Sequence, residues 1–404
     1  MIIRMLISIA LLLGIFGGEL AAQKITPRKP LTVLISIDGF KPDYLKRGIT
    51  PNLSRLADAG AVAKGMTPAF PSVTFPNHIT LVTGVVPDKH GVVNNTMQDP
   101  TIPNMRFRLA DRAVLADPKW WTEVKPIWVT AHRQKKITST LFWPGSEVLI
   151  EGQQPDDWLP YQEIPSHDRV LKLLEWLDRP NATRADFATL YFSEVDILGH
   201  QTGADSPQTN AAIQRVDQEI GAFIAGLEKL HLRSVTNLVI VSDHGMANTS
   251  PDKVIALSDL APDLPPAAII WTGSFAGLEI EPSKADAILT LLKKAEHMAC
   301  WRKSAIPARF QFGTHRRVPE IFCLADLGWT IINKPGAPIL AGQHGYDPEL
   351  PDMQALFIAS GPRIKNKKIS QITNTEVYEL LCELIRIKSE MRNSNSNLKK
   401  ILRR

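Results

Sequence analysis

We predict an α/β fold in which a mostly parallel sheet is covered by helices on both faces. Four short segments are continuously apolar, as strands buried on both faces are, and they do not alternate between apolar and polar residues. Helical segments with an apolar stripe lie between them along the chain. The 404 residues, of which 44% are apolar, suffice for one large domain or two ordinary ones.

The N-terminus has the pattern of a secretory signal peptide over residues 1–22. Arg4 precedes an apolar run from Met5 to Phe16, and small residues follow up to Ala22. A run of about a dozen residues is too short to span a bilayer comfortably. No later segment is long and apolar enough to be transmembrane. We therefore expect a secreted or periplasmic protein, with a retained N-terminal anchor as the alternative.

The predicted elements follow one another in an α/β order. The first strand is Leu31–Ile37, and the next helix starts at Thr50-Pro51 and stops at Gly60, which are typical helix boundaries. A second helix has apolar positions recurring from 213 to 227. The further buried strands are Phe187–Phe192, Asn237–Val241 and Ala355–Ala359. In such sheets, ligands bind at the carboxyl ends of the strands.

The formal net charge of +5 comes from the C-terminal end. Residues 386–404 hold seven basic residues and one acidic residue, so the rest of the chain is close to neutral. A field that attracts nucleic acid is therefore not indicated. We expect a domain over 31–385 and a solvated, frayed basic tail over 386–404, although the tail could also touch an acidic surface.

The chain has three cysteines, Cys300, Cys323 and Cys382, and none lies in a CxxC motif. Thiolate metal sites and redox motifs are therefore excluded. We expect each cysteine to be buried and unpaired, although one pair could form in an oxidising compartment.

Carboxylates follow three of the predicted elements at one edge of the sheet. Asp38 and Asp243 come directly after buried strands, and Asp196 lies just beyond another. Three carboxylates at one edge repel each other unless cations lie between them. Histidines complete the set: His200, His244 and His344. Each residue alone could be a helix cap or a hydrogen-bonded surface group, but mixed Asp and His ligands together suit zinc.

Thr74 is a candidate nucleophile at the start of a predicted helix that stops at Gly84. The helix N-terminus favours an alkoxide and an incoming phosphate there, and metal coordination can activate a threonine hydroxyl. A simple helix N-cap is the alternative function of Thr74.

The motifs resemble those of one known family. The blocks are Ile35-Ser36-Ile37-Asp38-Gly39, Thr74-Phe75-Pro76-Asn77-His78 with Thr83-Gly84, Asp196 through Gly199-His200, Ser242-Asp243-His244-Gly245-Met246, and Gln343-His344-Gly345-Tyr346-Asp347. From about Leu31 to about Leu384, the chain resembles the nucleotide pyrophosphatase/phosphodiesterase family of the alkaline phosphatase superfamily. The resemblance implies an alkaline-phosphatase-like fold with a small inserted subdomain. The sequence departs from the family's pattern after Leu384, and it lacks the family's extra nuclease-like and cysteine-rich modules.

The resemblance also implies roles for individual residues. Asp196, His200 and His344 correspond to the ligands of one zinc. Asp38, Asp243 and His244 correspond to the ligands of a second zinc, which Thr74 also contacts as the nucleophile. Asn95 corresponds to a residue that binds a phosphate oxygen. Phe75 corresponds to an aromatic residue that stacks on a nucleobase. Tyr161 falls near a second such aromatic position, with plain packing as its alternative.

We therefore expect a secreted two-zinc enzyme that hydrolyses small-molecule phosphodiester or pyrophosphate bonds through a covalent phosphothreonine. Two metal ions roughly 3.5–4 Å apart would clamp the attacking and leaving oxygens of an in-line displacement. Alternatives are the same core acting on glycerophosphodiesters, lysophospholipids or phosphonates, and an inactive binding protein. Four tryptophans could pack the core or wall the pocket: Trp120, Trp121, Trp128 and Trp143.

Overall fold

The computed structural model describes residues 27–108, 111–160, 164–391 and 396–403. The predicted signal peptide at 1–22 and Tyr161 both lie outside these residues. Within the described part of the chain, none of the helices is long and apolar enough to cross a membrane.

The centre of the fold is an eight-stranded sheet. Its strands are β1 Leu31–Ile37, β2 Ala61–Thr67, β3 Thr138–Leu141, β4 Asp157–Leu159, β5 Phe187–Phe192, β6 Thr236–Val241, β7 Phe357–Ser360 and β8 Lys367–Thr373. They lie in the order β8-β2-β7-β6-β1-β5-β3-β4. β7 is antiparallel to β2 and β6, while the other pairings are parallel. The sheet is thus mostly parallel, as predicted.

The four predicted strands are present, and the last of them is antiparallel to both of its neighbours. A short apolar run carries no information about direction, so the prediction of a mostly parallel sheet did not say which strand would differ. The chain enters β7 from a loop at the carboxyl edge of β6, where Leu356 O accepts from Ser242 N at 3.1 Å. No crossover back to the opposite edge comes before it, so β7 runs antiparallel.

The helices form a layer on each face of the sheet. They are α1 Pro51–Ala59, α2 Thr74–Thr83, α3 Pro87–His90, α4 Arg112–Leu115, α5 Ile127–Arg133, α6 Ser166–Leu177, α7 Glu194–Thr202, α8 Pro207–Lys229, α9 Leu257–Leu260, α10 Pro282–Leu292 and α11 Thr375–Ile385. Residues of α2, α5 and α11 pack in one core with Leu34 of β1. Residues of α1, α6 and α8 pack in a second core with Val33 and Ile35. Neighbouring residues of β1 are therefore buried on opposite faces of the sheet.

A smaller antiparallel sheet forms the inserted subdomain. Its strands, in spatial order, are Ile269–Trp271, Phe275–Leu278, Ile321–Ala325 and Met298–Arg302. Short two-stranded ladders pair Thr96–Gln98 with Arg106–Arg108, Ala247–Asn248 with Gly342–Gln343, and Val254–Ala256 with Thr330–Ile332. Cys300 and Cys323 lie opposite each other on neighbouring strands of the small sheet and form a disulfide. The expectation of unpaired cysteines was wrong for these two because cross-strand register brings them together, while Cys382 is free and buried.

The described part of the C-terminal tail is packed against the domain, so the expectation of a frayed end was wrong over 396–403. Leu398 and Ile401 are fully buried. Lys365 N donates to Ile401 O at 2.8 Å, and Arg403 N donates to Arg363 O at 2.8 Å. Leu398 and Ile401 are three positions apart, so they lie on the same side of the short 3-10 helix Asn397–Ile401. That side faces the domain, and basic residues lie between them.

Candidate active site

Four chain segments deliver the candidate ligands to one edge of the central sheet. Asp38 follows β1, and Asp243 and His244 follow β6. Asp196 and His200 are one turn apart on α7, which begins two residues after β5. His344 follows the short strand Gly342–Gln343. The carboxyl ends of three parallel strands, together with the residue after a short antiparallel strand, therefore bring together all six residues that the sequence singled out.

Gly39 allows the two clusters of ligands to approach each other. Its φ is +69°, in the left-handed region, and a Cβ there would lie 3.1 Å from Cα of Asp196. A larger residue would strain the turn after β1 and push α7 away from it.

The first cluster contains Asp196, His200 and His344. The Nε2 atoms of the two histidines are 3.1 Å apart. They lie 3.5 and 3.6 Å, respectively, from Oδ1 of Asp196. These ligand atoms are close enough together to share one metal ion.

The second cluster contains Asp38, Asp243 and His244. Nε2 of His244 lies 3.0 Å from Oδ2 of Asp243 and 3.5 Å from Oδ1 of Asp38. The rings of His244 and His344 stack with centroids 3.6 Å apart. The two clusters are therefore adjacent, as two neighbouring ions would require.

Backbone carbonyls fix the orientation of all three histidines. Nδ1 of His200 lies 2.8 Å from Gly342 O, and Nδ1 of His344 lies 2.9 Å from Ser72 O. His244 contacts Gly245 O in the same way at 2.9 Å. Because a carbonyl only accepts, each Nδ1 carries the proton and each Nε2 presents a lone pair to the cluster.

Charges in the site are unbalanced without cations. Oδ1 of Asp38, Oδ1 of Asp196 and Oδ2 of Asp243 are buried and accept no hydrogen bond from the described residues. Burial, together with the charges of Asp243 and Asp196, raises the pKa of the Asp38 carboxyl well above its ordinary value. Buried carboxylates persist when they are paired or coordinate metals. The unpartnered oxygens, surrounded by imidazole lone pairs, fit a pair of divalent cations.

Thr74 lies at the second cluster, with Oγ1 3.3 Å from Nε2 of His244. The N-cap of α2 is Val73, and Thr74 is the first helical residue. The helix-cap alternative for Thr74 was therefore wrong, because Val73 holds the cap position and the Thr74 side chain points to the candidate metal ligands.

The side chain of Asn95 accepts a hydrogen bond from the first turn of α2. Its Oδ1 accepts a hydrogen bond from the backbone N–H of Phe75 at 2.8 Å. No described residue accepts from its Nδ2, so the amide donor is available beside Thr74. Asn95 also lines a cavity of about 490 Å³ with His200 and His344.

Aromatic residues divide between the core and this cavity. Phe75 is only 8% exposed and packs edge-on against Phe107 with ring centroids 6.1 Å apart, and it is not among the residues that line the cavity. Trp271 and Phe275, which the sequence analysis did not single out, line it instead. Among the tryptophans, packing in the core is the correct alternative, since all four are at most 2% exposed: Trp120, Trp121, Trp128 and Trp143.

A family model for type I phosphodiesterase/nucleotide pyrophosphatase matches residues 32–347 of the chain. The chain belongs to this family. The match confirms the family that the motifs resemble, and with it a hydrolase of phosphodiester or pyrophosphate bonds.

Individual members of the phosphodiesterase family are similar over most of this chain. An uncharacterized pyrophosphatase/phosphodiesterase of Schizosaccharomyces pombe is 37% identical over 383 residues, covering 89% of this chain and 78% of the relative. The rat ectonucleotide pyrophosphatase/phosphodiesterase family member 3 is 34% identical over 391 residues, which cover 93% of this chain but only 44% of the relative. The chain thus spans less than half of that relative's length.

A solved relative confirms the fold class. Murine ectonucleotide pyrophosphatase/phosphodiesterase 5, in an inactive variant bound to AMP, superposes with a TM-score of 0.87. It is 32% identical and covers 93% of this chain and 100% of that one.

Two buried residues that support the phosphodiesterase site escaped the sequence analysis. Nδ1 of His78 lies 2.9 Å from Thr74 O and 3.4 Å from Oδ2 of Asp243. The Tyr191 hydroxyl donates to Oδ2 of Asp38 at 2.5 Å. His78 stands in a motif block, but nothing in that block shows that it reaches Asp243. Tyr191 is one of six buried residues in β5, and only the register against β1 places it beside Asp38.

Proposed function

We propose that this protein is a secreted nucleotide pyrophosphatase/phosphodiesterase that uses two zinc ions and Thr74 as its nucleophile. The observation that carries the proposal is the position of Thr74 Oγ1, 3.3 Å from Nε2 of His244 and beside buried carboxylate oxygens that have no partner. The N-terminus of α2, the Thr74 hydroxyl and the candidate ligands of the second cluster therefore lie next to one another. This is the arrangement that transfer of a phosphoryl group to a protein oxygen requires.

Each cluster would hold one ion. Asp196, His200 and His344 would hold the first ion. Asp38, Asp243 and His244 would hold the second ion together with Thr74. When bound, the ions supply positive charge to the phosphate oxygens and lower the pKa of the hydroxyl and of water.

The chain's own groups carry out the displacement in two steps. The Thr74 hydroxyl loses its proton to solvent, and Oγ1 forms a bond to phosphorus. The bond from phosphorus to the leaving oxygen breaks, and that oxygen departs with the electron pair and takes up a proton. Water then adds its oxygen to phosphorus from the vacated side and releases a proton to solvent. The Oγ1–P bond breaks, and Thr74 regains a proton.

Asn95 would hold a non-bridging oxygen of the reacting group. Its Oδ1 is occupied by the Phe75 N–H, so its Nδ2 donor points away from α2. Such a preset neutral donor stabilises charge that develops in the transition state. A neutral donor suits the single charge of a diester better than the double charge of a monoester.

Nucleotides are the proposed substrate class. The murine relative binds AMP in its inactive variant. Phe75 is buried against Phe107 and does not line the cavity, so the AMP-bound relative alone supports this substrate class.

The test compares three substrates: a nucleoside 5′-aryl phosphodiester, an aryl phosphate monoester and an aryl phosphocholine. Wild type is run beside Thr74→Ala, Thr74→Ser and a chelated sample. We expect fast diester cleavage that zinc restores after chelation. Thr74→Ala should lose on the order of 10⁴-fold or more in kcat, as other enzymes do without their nucleophile, while Thr74→Ser, which keeps the hydroxyl, should lose far less.

Other outcomes would redirect the proposal. Preference for the phosphocholine ester would move the substrate to lysophospholipids with the same mechanism. Diester cleavage that survives in Thr74→Ala would overturn the role of Thr74. No zinc-dependent cleavage, in a protein that binds zinc, would favour the inactive binding protein.

A further inference from the structure

Two chain segments meet at the outer edge of the central sheet, where strand β8 begins. Lys365 N donates to Ile401 O at 2.8 Å, and Arg403 N donates to Arg363 O at 2.8 Å. The tail segment 396–403 therefore runs alongside the residues that lead into β8. This pairing gathers five exposed basic side chains, which we call the basic edge: Lys365, Lys367, Lys368, Lys400 and Arg403.

The charge of the basic edge is not balanced by the described part of the protein. None of its five side chains forms an ion pair with a described carboxylate. Lys399 beside them is different, because its Nζ lies 3.5 Å from Glu379 and 4.0 Å from Glu383. Asp58 is exposed nearby, since its backbone carbonyl accepts from Asn366, but its carboxylate pairs with none of the five.

The basic edge lies on the opposite side of the sheet from the candidate active site. β8 runs parallel to β2 and, across the antiparallel β7, in the same direction as β6 and β1. The start of β8 is therefore at the amino edge of the sheet, whereas Asp38 and Asp243 follow β1 and β6 at the carboxyl edge. The length of these strands separates the two edges by about 20 Å. A surface that covered the basic edge would leave the candidate active site open.

Protection of an edge strand explains only part of the basic edge. β8 is the last strand on its side of the sheet, and lysines on such a strand prevent it from pairing with another chain. Lys367 and Lys368 lie on β8 and suit that role. Lys365 precedes the strand, and Lys400 and Arg403 come from the tail, so another role is needed for these three.

The described part of the chain begins at the same edge, at residue 27 before β1. Three strands lie between β1 and β8, so the starts of these two strands are about 19 Å apart. The apolar run Met5–Phe16 precedes residue 27 in the sequence, and signal peptides and anchors alike place such a run in a membrane. Residues 17–26, between the run and β1, reach about 35 Å when extended. One bilayer is therefore within reach of both the apolar run and the basic edge.

We propose that the basic edge docks the protein on a membrane that contains anionic phospholipids, with the candidate active site turned away from the bilayer. This does not rest on the proposed function, because it concerns the opposite edge of the sheet. Each lysine or arginine near an anionic bilayer adds favourable electrostatic energy. Sites for single-stranded nucleic acid add aromatic side chains on which bases stack, and neither 361–373 nor 396–403 contains an aromatic residue.

Co-sedimentation with lipid vesicles tests the docking surface. Vesicles of phosphatidylcholine alone are compared with vesicles of phosphatidylcholine and phosphatidylglycerol in equal parts. We expect tighter binding to the anionic vesicles, and we expect high salt to remove the difference because the charges are exposed. A retained N-terminal anchor would add equally to both affinities, so the difference between them is the quantity that counts.

A variant with four substitutions locates the binding on the basic edge. We expect its affinity for anionic vesicles to fall about a hundredfold or more; it combines Lys365→Gln, Lys367→Gln, Lys368→Gln and Lys400→Gln. The matched control has the same net charge and should lose far less. It replaces four exposed lysines in and beside the inserted subdomain: Lys253→Gln, Lys293→Gln, Lys294→Gln and Lys334→Gln. Arginine at the first four positions keeps the charge and should preserve binding to the anionic vesicles.

Cleavage of a soluble nucleoside 5′-aryl phosphodiester tests the orientation. Without vesicles, the basic-edge variant should cleave it at the wild-type rate, because the substitutions lie far from the candidate active site. Anionic vesicles should leave the wild-type rate unchanged, and a fall in that rate would overturn the orientation. If wild type cleaves no diester, the proposed function fails, while vesicle binding still decides the docking surface and thermal unfolding checks that the variants fold.

Four results would overturn the docking surface. The first two are equal wild-type binding to both kinds of vesicle and equal losses in the basic-edge variant and its control. The third is a basic-edge variant that binds vesicles like wild type but self-associates, since the lysines would then only protect β8. The fourth is tighter binding to a single-stranded oligonucleotide than to the anionic vesicles, which would replace the bilayer by a nucleic acid.

Discussion

Two regions of the protein bury carboxylates in opposite ways. At the sheet edge, the three carboxylates Asp38, Asp196 and Asp243 each keep an oxygen that accepts no hydrogen bond from the described part of the chain. At the base of the small hairpin next to the cavity, Asp99 is fully paired. Its Oδ2 accepts from Nε of Arg317 at 2.6 Å and from Nε of Arg316 at 3.0 Å. The side chains of Asp99 and Arg317 are both fully buried.

The difference separates a structural ion pair from a ligand site. Burial alone would raise the pKa of Asp99, but hydrogen bonds from Arg316, Thr101 and Arg317 hold it well below the ordinary aspartate value. The carboxyl of Asp38 has no such cation, and its pKa is raised. A buried carboxylate whose charge the chain does not balance indicates a missing cation, and one that the chain balances indicates a role in stability.

The largest effect should come from Asp38→Asn. We expect zinc affinity and diester cleavage to fall by more than about a hundredfold, beyond what the loss of an outer partner costs. In a chelator, the variant should be at least as stable as wild type, because burial and the charges of Asp243 and Asp196 make the Asp38 carboxylate unfavourable in the folded protein and raise its pKa. Thermal unfolding with and without zinc measures both effects. A variant that is clearly less stable in the chelator would show that Asp38 also holds the fold together.

Arg317→Met should lower the stability of the protein and leave its zinc binding unchanged. Removing one partner of a buried pair costs about 3–5 kcal/mol of unfolding free energy. Arg316→Met is the matched control, since its side chain is 34% exposed, and it should cost about 1 kcal/mol. Urea unfolding gives the stabilities, and zinc binding per folded molecule should stay at the wild-type level in both variants. Equal losses of unfolding free energy in the two variants would contradict the view that the buried pair of Asp99 with Arg317 stabilises the fold.

The smallest effect that we expect is that of Asp99→Asn on the pH dependence of the free energy of unfolding. Because the pKa of Asp99 is depressed in the folded state, its stabilising contribution is complete above its unfolded pKa of about 4 and is lost as the pH falls below it. The stability gap between wild type and Asp99→Asn should therefore narrow by about 1 kcal/mol between pH 6 and pH 3. Unfolding in a chelator at both pH values keeps metal loss out of the comparison. If the stability gap between the two proteins widened toward pH 3, the depressed pKa of Asp99 in the folded state would be contradicted.

The sequence predicted the strands and the residues at their ends, because buried parallel strands are continuous apolar runs followed directly by the polar residues of the site. It could not predict partners that tertiary packing decides. Nothing near Asp99 in the chain indicates Arg317, which is 218 residues away. The direction of β7, the pairing of Cys300 with Cys323 and the contact of His78 with Asp243 depend on register and topology in the same way.

The resemblance to a family supplied roles that spacing alone left open. Local sequence allowed Thr74 to be a cap, and the fold shows that Val73 holds that position.

Strand β7 has a consequence for the order in which the protein is made. It lies in the middle of the sheet, between β2 and β6, yet it is the seventh of the eight strands to leave the ribosome. Until residue 360 is synthesised, β2 and the Thr74 helix that follows it have no strand to join them to β6. The candidate active site therefore cannot be completed before residue 360 is synthesised, and a partly synthesised chain carries the residues of the reaction without their arrangement.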